Sequence, residues 1–178
     1  MNEWHLTLPL SEEDIARLCV GDKVFLSGEV LTARDAAHKR LTEALAQGLP
    51  LPVPLDHAAV YYVGPSPARP GRCIGSAGPT TSTRMDPYTP ALLDQGLKVM
   101  IGKGRRGADV LASIAAHRAV YLAAVGGCGA LLSRCVTASE PVCYEDLGTE
   151  AIRRLTVEEL PCIVAADCRG KSIYPSAL

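Results

Sequence analysis

Residues 97–125 read LKVMIGKGRRGADVLASIAAHRAVYLAAV. The apolar run Leu97–Ile101 meets a turn rich in glycine and cations, Gly102–Gly107. A helical segment, Ala108–His117, follows, and then a second apolar run, Val120–Val125. Short apolar runs bounded by turn residues fit buried strands, and a helix between two of them fits a crossover that brings the chain back parallel. The pattern continues on the C-terminal side. Gly126–Gly129 is a turn, Ala130–Cys135 a short helix, Glu158–Asp167 a final buried strand and Cys168–Tyr174 a returning hairpin, while Glu145–Leu155 reads as a loop leading into a helix. Strand–helix alternation of this kind implies parallel α/β layering.

Working outward toward the N-terminus, strands and loops dominate. Residues 4–10 alternate apolar and polar and predict a short strand. Ser11-Glu-Glu-Asp14 resembles a capping box with Asp in place of Glu or Gln, and opens a helix through Leu18. Lys23–Thr32 is strand-like, with Gly28 marking a bulge or a close backbone approach. Thr32 is the expected N-cap and Gly48 the expected C′ residue of a helix whose apolar stripe is Ala37, Leu41, Ala44 and Leu45. A proline-punctuated connector, 49–57, leads to a buried strand at Ala58–Val63, a surface loop at Gly64–Gly71 and a short strand at Cys73–Ala77. The expected fold is a mixed α/β sheet with flanking helices around one core, a single domain over residues 1–178.

The chemistry is expected in Gly75–Pro90, GSAGPTTSTRMDPYTP. This stretch carries four hydroxyls (Thr80, Thr81, Ser82, Thr83), Arg84 and Asp86, just ahead of a helical pattern. Free N–H groups and hydroxyls at such a junction suit an anion. Ligand sites in open α/β sheets gather at the carboxyl ends of strands. Arg34, Thr80, Arg84 and Lys103 all fall just after a strand or at a helix start, and together would form one anion pocket. Arg34 in a helix's first turn opposes the macrodipole, so helix stability does not explain it. Gly102–Gly107 is not a nucleotide phosphate loop: Gly96 is one residue too distant and Gly104 stands where Ser or Thr should hold magnesium. For the neighbouring residues plainer roles are expected. Asp86 caps or pairs with Arg84, Asp35 orients Arg34 or favours the helix start, His38 is a non-catalytic histidine, and Arg105 and Arg106 are a solvated edge or partner contacts.

Composition excludes several function classes. The formal net charge is −1 and aromatic content is 4%, so neither a basic nucleic-acid surface nor base-stacking platforms are expected. No apolar run reaches the roughly 18–20 residues that span a bilayer. Met1–His5 has neither a basic nor an apolar leader pattern, so a cytoplasmic protein without membrane or nucleic-acid partners is expected. Seven cysteines at irregular spacing, with no Cys-x-x-Cys, are expected to be reduced, mostly buried thiols that bind no metal by themselves.

Laid side by side, these motifs resemble a known family. Leu26-Ser-Gly-Glu-Val30 with Arg34-Asp-Ala-Ala-His38, Tyr61-Tyr-Val-Gly-Pro65, Gly78-Pro-Thr-Thr81 with Arg84-Met-Asp86, Lys103-Gly104, Ala124-Val-Gly-Gly127, and Leu160-Pro-Cys-Ile-Val164 with Asp167 and Gly170 are similar to the β subunit, or C-terminal domain, of iron–sulfur hydro-lyases. These are class I fumarase and L(+)-tartrate dehydratase. The resemblance covers roughly residues 5–175, and Gly-Pro-Thr-Thr-x-x-Arg-Met-Asp is its most specific part.

The resemblance implies a swivelling β/β/α domain and a partner, an α subunit carrying a [4Fe–4S] cluster that this chain does not bind, with the active site between the two. It implies a dicarboxylate substrate held by Arg34, Arg84 and Lys103, with Thr81 as a further contact and Thr80 as both ligand and candidate base. Reversible hydration of fumarate to malate is the expected reaction, with tartrate dehydration to oxaloacetate as the alternative. The isolated chain is a candidate homodimer. A reading from another class, an anion- or metabolite-binding module without catalysis, uses the same cations. Cys128 has no assigned role.

Overall fold

The computed structural model describes residues 1–174, so residues 175–178 of the expected single domain lie outside the described residues. In chain order the elements are β1 (Glu3–Thr7), α1 (Glu12–Arg17), β2 (Lys23–Thr32), α2 (Asp35–Ala46), β3 (Ala59–Tyr61), α3 (Thr89–Leu93), β4 (Val99–Gly102), α4 (Ala108–Ala116), β5 (Val120–Ala123), α5 (Gly129–Leu132), β6 (Val136–Cys143) and β7 (Ile152–Ala166). Strands β1 to β5 run parallel in the order β1-β2-β3-β4-β5, and β7 then pairs antiparallel with both β5 and β2. The pairing β2–β7, from Lys23↔Ile163 to Leu31↔Arg154, closes β2, β3, β4, β5 and β7 into a five-stranded ring. β1 and β6 flank it as edges.

Alternation along each strand builds two cores. Val99 and Ile101 of β4, Val120 and Leu122 of β5 and Tyr61 of β3 share one buried cluster with Val24, Leu26, Leu155 and Leu160. The residues between them, Val60, Met100 and Tyr121, share the other with Leu41, Met85, Leu93, Val110 and Ile114. A ring this small has room inside only for side chains. The first cluster therefore fills it, with Ile15 and Leu18 from the end of α1, while α2, α3 and α4 cover the outside. No helix among the described residues is long and apolar enough to cross a membrane.

Several local expectations hold. Ser11 Oγ accepts the Asp14 N–H at 3.0 Å and the Asp14 carboxylate accepts the Ser11 N–H at 3.2 Å, a complete capping box. Gly48 follows α2 with φ +68°. Gly28 sits at φ +120° where the β2–β7 register slips, and a Cβ there would stand 3.0 Å from the Leu8 carbonyl oxygen. Gly28→Ala should therefore cost about 1–3 kcal/mol of stability in urea unfolding. A loss under a few tenths would mean that the Leu8 segment yields.

Other expectations are corrected. Strand β1 ends at Thr7, not residue 10, and Cys73–Ala77 forms no strand. Thr32 does not cap α2. It is the last residue of β2, and its Oγ1 donates to the Ala151 carbonyl and accepts the Arg153 N–H at 2.9 Å, stitching β2 to β7. Arg34 is the N-cap residue instead. No helix follows Glu145–Glu150, a 3-10 segment kinked at Gly148. The chain enters β7, where Arg154 pairs with Glu140 of β6 at 2.6 Å and with Glu29 of β2 at 3.5 Å. Helix-forming composition loses here to pairing with strands on both sides. β6 itself gave no recognised strand signal.

Candidate active site

The parallel strands point their carboxyl ends at one end of the ring. Arg34 follows β2, the Gly78–Arg84 stretch lies beyond β3, Lys103 follows β4 and Gly126 follows β5. Backbone bonds fix the hydroxyl-rich stretch against two of these ends. The Thr80 N–H donates to the Tyr62 carbonyl at 2.7 Å, the Lys103 N–H to the Thr80 carbonyl at 3.2 Å, and the Ser82 N–H to the Lys103 carbonyl at 2.9 Å. Thr81 and Lys103 thus form a parallel bridge.

Ser82 is buried and locks this register. The Tyr121 hydroxyl donates its proton to the Gly104 carbonyl at 2.8 Å, so at 2.9 Å it must accept the proton of Ser82. A Cβ on Gly102 would lie 2.1 Å from Ser82 Oγ, which is why glycine ends β4. On the far side, Gly78 packs against Gly129 of α5, and the Tyr61 hydroxyl holds the Ala77 carbonyl at 2.6 Å.

The two arginines are joined by a carboxylate. Asp35 Oδ1 is 2.7 Å from Arg84 Nε, and Asp35 Oδ2 is 3.6 Å from Arg34 Nε. Glu150 completes the cluster: one oxygen lies 3.6 Å from Arg34 Nη2, and the other accepts the Ala36 N–H at 2.9 Å, capping a helix start that has no cap of its own. The Arg34 guanidinium lies over Gly64, where a Cβ would approach Nη1 to 2.9 Å. Lys103 runs beside Gly126, and has no carboxylate partner among the described residues.

All five expected site residues therefore belong to one end of the sheet. Arg34 and Arg84 meet through Asp35, while Thr80, Thr81 and Lys103 meet through their backbones. Arg34 is half-buried and Arg84 is 51% exposed. Thr81 and Arg84 face solvent at this end of the sheet, and Arg34, Thr80 and Lys103 are partly buried beside them.

Two neighbours differ from expectation. Asp86 pairs with Arg106, not Arg84: Oδ1 accepts Arg106 Nε at 2.7 Å and Oδ2 accepts the Gly107 N–H at 2.8 Å, at the start of α4. Arg106 is no solvated edge. Its side chain is 0% exposed and also donates to the Tyr62 hydroxyl at 3.1 Å and Thr89 Oγ1 at 2.6 Å, between the Tyr62 and Tyr121 rings. Sequence reasoning missed Glu150 and Arg106. Only the paired arginines, one of which must find a partner if buried, hinted at the second.

His38 lies behind the site. It is fully buried against the edge of Tyr62, and burial lowers its pKa from an ordinary 6.5 to about 4. The neutral ring donates Nδ1–H to the Arg34 carbonyl at 2.9 Å, which leaves Nε2 without a partner. Unfolding frees a histidine that protonates near 6.5, so the unfolded chain binds more protons between 4 and 6.5. This contribution is complete above that window and is lost as pH falls through it. Wild type should lose about 2 kcal/mol more between pH 7 and pH 5 than His38→Leu in urea titrations. Equal losses would rule the ring out as the titrating group.

All seven cysteines are free thiols, but only Cys162 and Cys168 are buried, fewer than expected. Burial pushes the Cys162 thiol up to about 12. Cys128 precedes α5, where its carbonyl accepts the Leu131 and Leu132 N–H groups at 2.9 Å. Among the described residues no three His, Cys, Asp or Glu side chains gather in a way that would hold a metal ion. They do not fit as the ligand set of an iron–sulfur cluster.

Residues 2–177 match the family model described as Fumarase C-terminus. The chain belongs to this family. A Methanocaldococcus jannaschii relative named putative L(+)-tartrate dehydratase subunit beta is 37% identical over 172 residues, 93% of this chain and 88% of its own length. The aerobic class I fumarate hydratase of Salmonella typhimurium is 34% identical over 173 residues, 95% of this chain. A Leishmania major relative named fumarate hydratase 1, mitochondrial, is 34% identical over 174 residues. This fumarase C-terminus chain spans only 30% and 32% of those two proteins.

Proposed function

We propose that this fumarase C-terminus chain is the beta part of an iron–sulfur-dependent hydro-lyase that interconverts fumarate and malate, and that Arg34, Thr80, Thr81, Arg84 and Lys103 form its side of the active site. The observation that carries this reading is their convergence on one end of the sheet, where Thr81 and Arg84 face solvent. A second, cluster-bearing alpha part would supply the opposite wall. The [4Fe–4S] cluster is assigned to that alpha part because the donors on this chain do not gather. The closed ring with helices outside supports a swivelling domain that moves against the alpha part as one body.

The substrate is a dianion. Each carboxylate–cation pair at about 4 Å gains roughly 4 kcal/mol at an effective dielectric near 20, before desolvation. Asp35 pairs closely with Arg84 at 2.7 Å and lies 3.6 Å from Arg34, so one internal carboxylate brings both guanidinium groups to the site before substrate arrives. Lys103, free of such a partner among the described residues, is the cation best placed to answer charge that develops when a proton leaves the carbon beside a carboxylate. Thr80 sits one backbone hydrogen bond from Lys103 and is the candidate to take that proton. A threonine hydroxyl is a poor base by itself, so its alkoxide would depend on such cations.

Tartrate dehydration to oxaloacetate is the second reading. The beta-subunit relative, matched over 88% of its length, favours it. The deciding experiment is anaerobic reconstitution with the alpha part, assayed on fumarate, malate and both tartrate enantiomers. Hydration of fumarate is expected. Turnover of one tartrate enantiomer alone would select the second reading, and absence of both complex and turnover would leave an anion-binding module.

A further inference from the structure

We propose that the arginine-rich surface formed by the Gly64–Ala77 loop and the turn after α5 docks an acidic segment of the alpha part. This rests on the reading that a second part completes the active site. Two adjoining hollows of about 340 and 330 Å³ flank the loop and share Ser66, Pro67 and Ile74. Arg153 lines one, and Arg69, Arg72 and Arg134 line the other. Among the described residues no Asp or Glu lines either, in a chain that holds 19 acidic residues against 18 Lys and Arg. Charge of one sign is therefore segregated here: among the described residues none of these arginines has a carboxylate partner, although Arg72 donates to the Ser133 carbonyl and Arg153 to Ser139 Oγ.

The loop that presents it is built, not slack. The Ser66 N–H donates to the Ser76 carbonyl and the Gly75 N–H to the Ser66 carbonyl, both at 3.1 Å, while Ser66 Oγ accepts the Ser76 N–H at 2.8 Å. A Cβ on Gly75 would stand 2.4 Å from the Ser66 carbonyl oxygen. The Ala77 N–H donates to the Gly129 carbonyl at 3.0 Å, and Arg72 Nη2 donates to the Ser133 carbonyl at 3.3 Å, so loop and turn are tied into one surface. Compact loops with closed ends are frequently functional. This one runs straight into Gly78–Arg84, so whatever sits on it borders the dicarboxylate face. Arginines are enriched at protein interfaces, and complementary charge there fixes register and speeds encounter. An acidic segment beside the opposite wall of the site satisfies both the charge and the position. Nucleic acid is a poorer match, given the net charge of −1 and the 4% aromatic content.

The test compares two charge-matched double variants of the full chain, titrated calorimetrically with the alpha part under anaerobic conditions. Arg69→Glu with Arg134→Glu alters the proposed surface. Lys23→Glu with Arg118→Glu alters the opposite end, at the starts of β2 and β5. The first pair should weaken the complex about tenfold or more and flatten its salt dependence; the second should change affinity less than about twofold. Melting temperatures of the free chains serve as the folding control. Unchanged affinity in the first pair, with dehydration intact, overturns the docking surface and leaves the hydro-lyase reading standing. Equal losses in both pairs show a general charge effect and overturn it too. Absence of complex and turnover with wild type removes both readings. Wild-type binding of inorganic phosphate at these arginines, without competition against the alpha part, would mark a small-anion site instead.

Discussion

Thr80→Ala should lower kcat of the reconstituted enzyme about 10²- to 10⁴-fold, the usual span for a lost proton-transfer group, while KM changes little. The backbone around Thr80 is held by the Tyr62 carbonyl on one side and Lys103 on the other. Alanine keeps both bonds, so the variant removes a hydroxyl without moving the loop. Thr80→Ser keeps the hydroxyl and should recover most of the rate. Steady-state kinetics on malate separates the roles: a rise in KM with kcat intact would make Thr80 a carboxylate ligand and move the base to another group. Arg84→Ala offers the contrast. Its guanidinium is half exposed and tethered only by Asp35 among the described residues, so its loss should appear chiefly in KM.

Arg106→Leu should cost about 3–5 kcal/mol in urea unfolding, because the partners of a buried cation are left behind. Asp86, the Tyr62 hydroxyl and Thr89 Oγ1 each lose a donor, and the Tyr62 and Tyr121 rings lose the charge between them. Lysine should rescue little, since one ammonium on a flexible stem cannot reproduce a fork reaching three partners. A loss below about 1 kcal/mol would show that Asp86, 19% exposed, is rehydrated without strain. Because Asp86 follows the Ser82–Met85 turn, the variant should also loosen Arg84, which would appear as a raised KM in the reconstituted enzyme.

Much of this architecture was legible along the chain. Period-two alternation and glycine-bounded apolar runs located β2, β3, β4 and β5, and the capping box located α1. The motif residues fell at the carboxyl ends of those strands, where backbone groups are free to meet a ligand. What was not legible depended on partners far away in sequence. The first residues of β7 fall in Glu145–Leu155, which reads as a loop leading into a helix, because local composition carries no record of the strands on either side. Asp86 was assigned to the nearest arginine, Arg84, when its partner lies 20 residues on.

The sequence by itself determined strands β2 to β5, the turns that bound them and which residues carry charge or a hydroxyl, since those follow from side-chain chemistry and spacing within a few residues. Only the tertiary structure decided how the charges divide. Ring closure through β2 and β7 brings Glu150 to Arg34 across 116 positions, and the helix layer buries Arg106 while Arg84 stays at the surface. Electrostatic partnership and burial act through distance in space, which chain separation does not record.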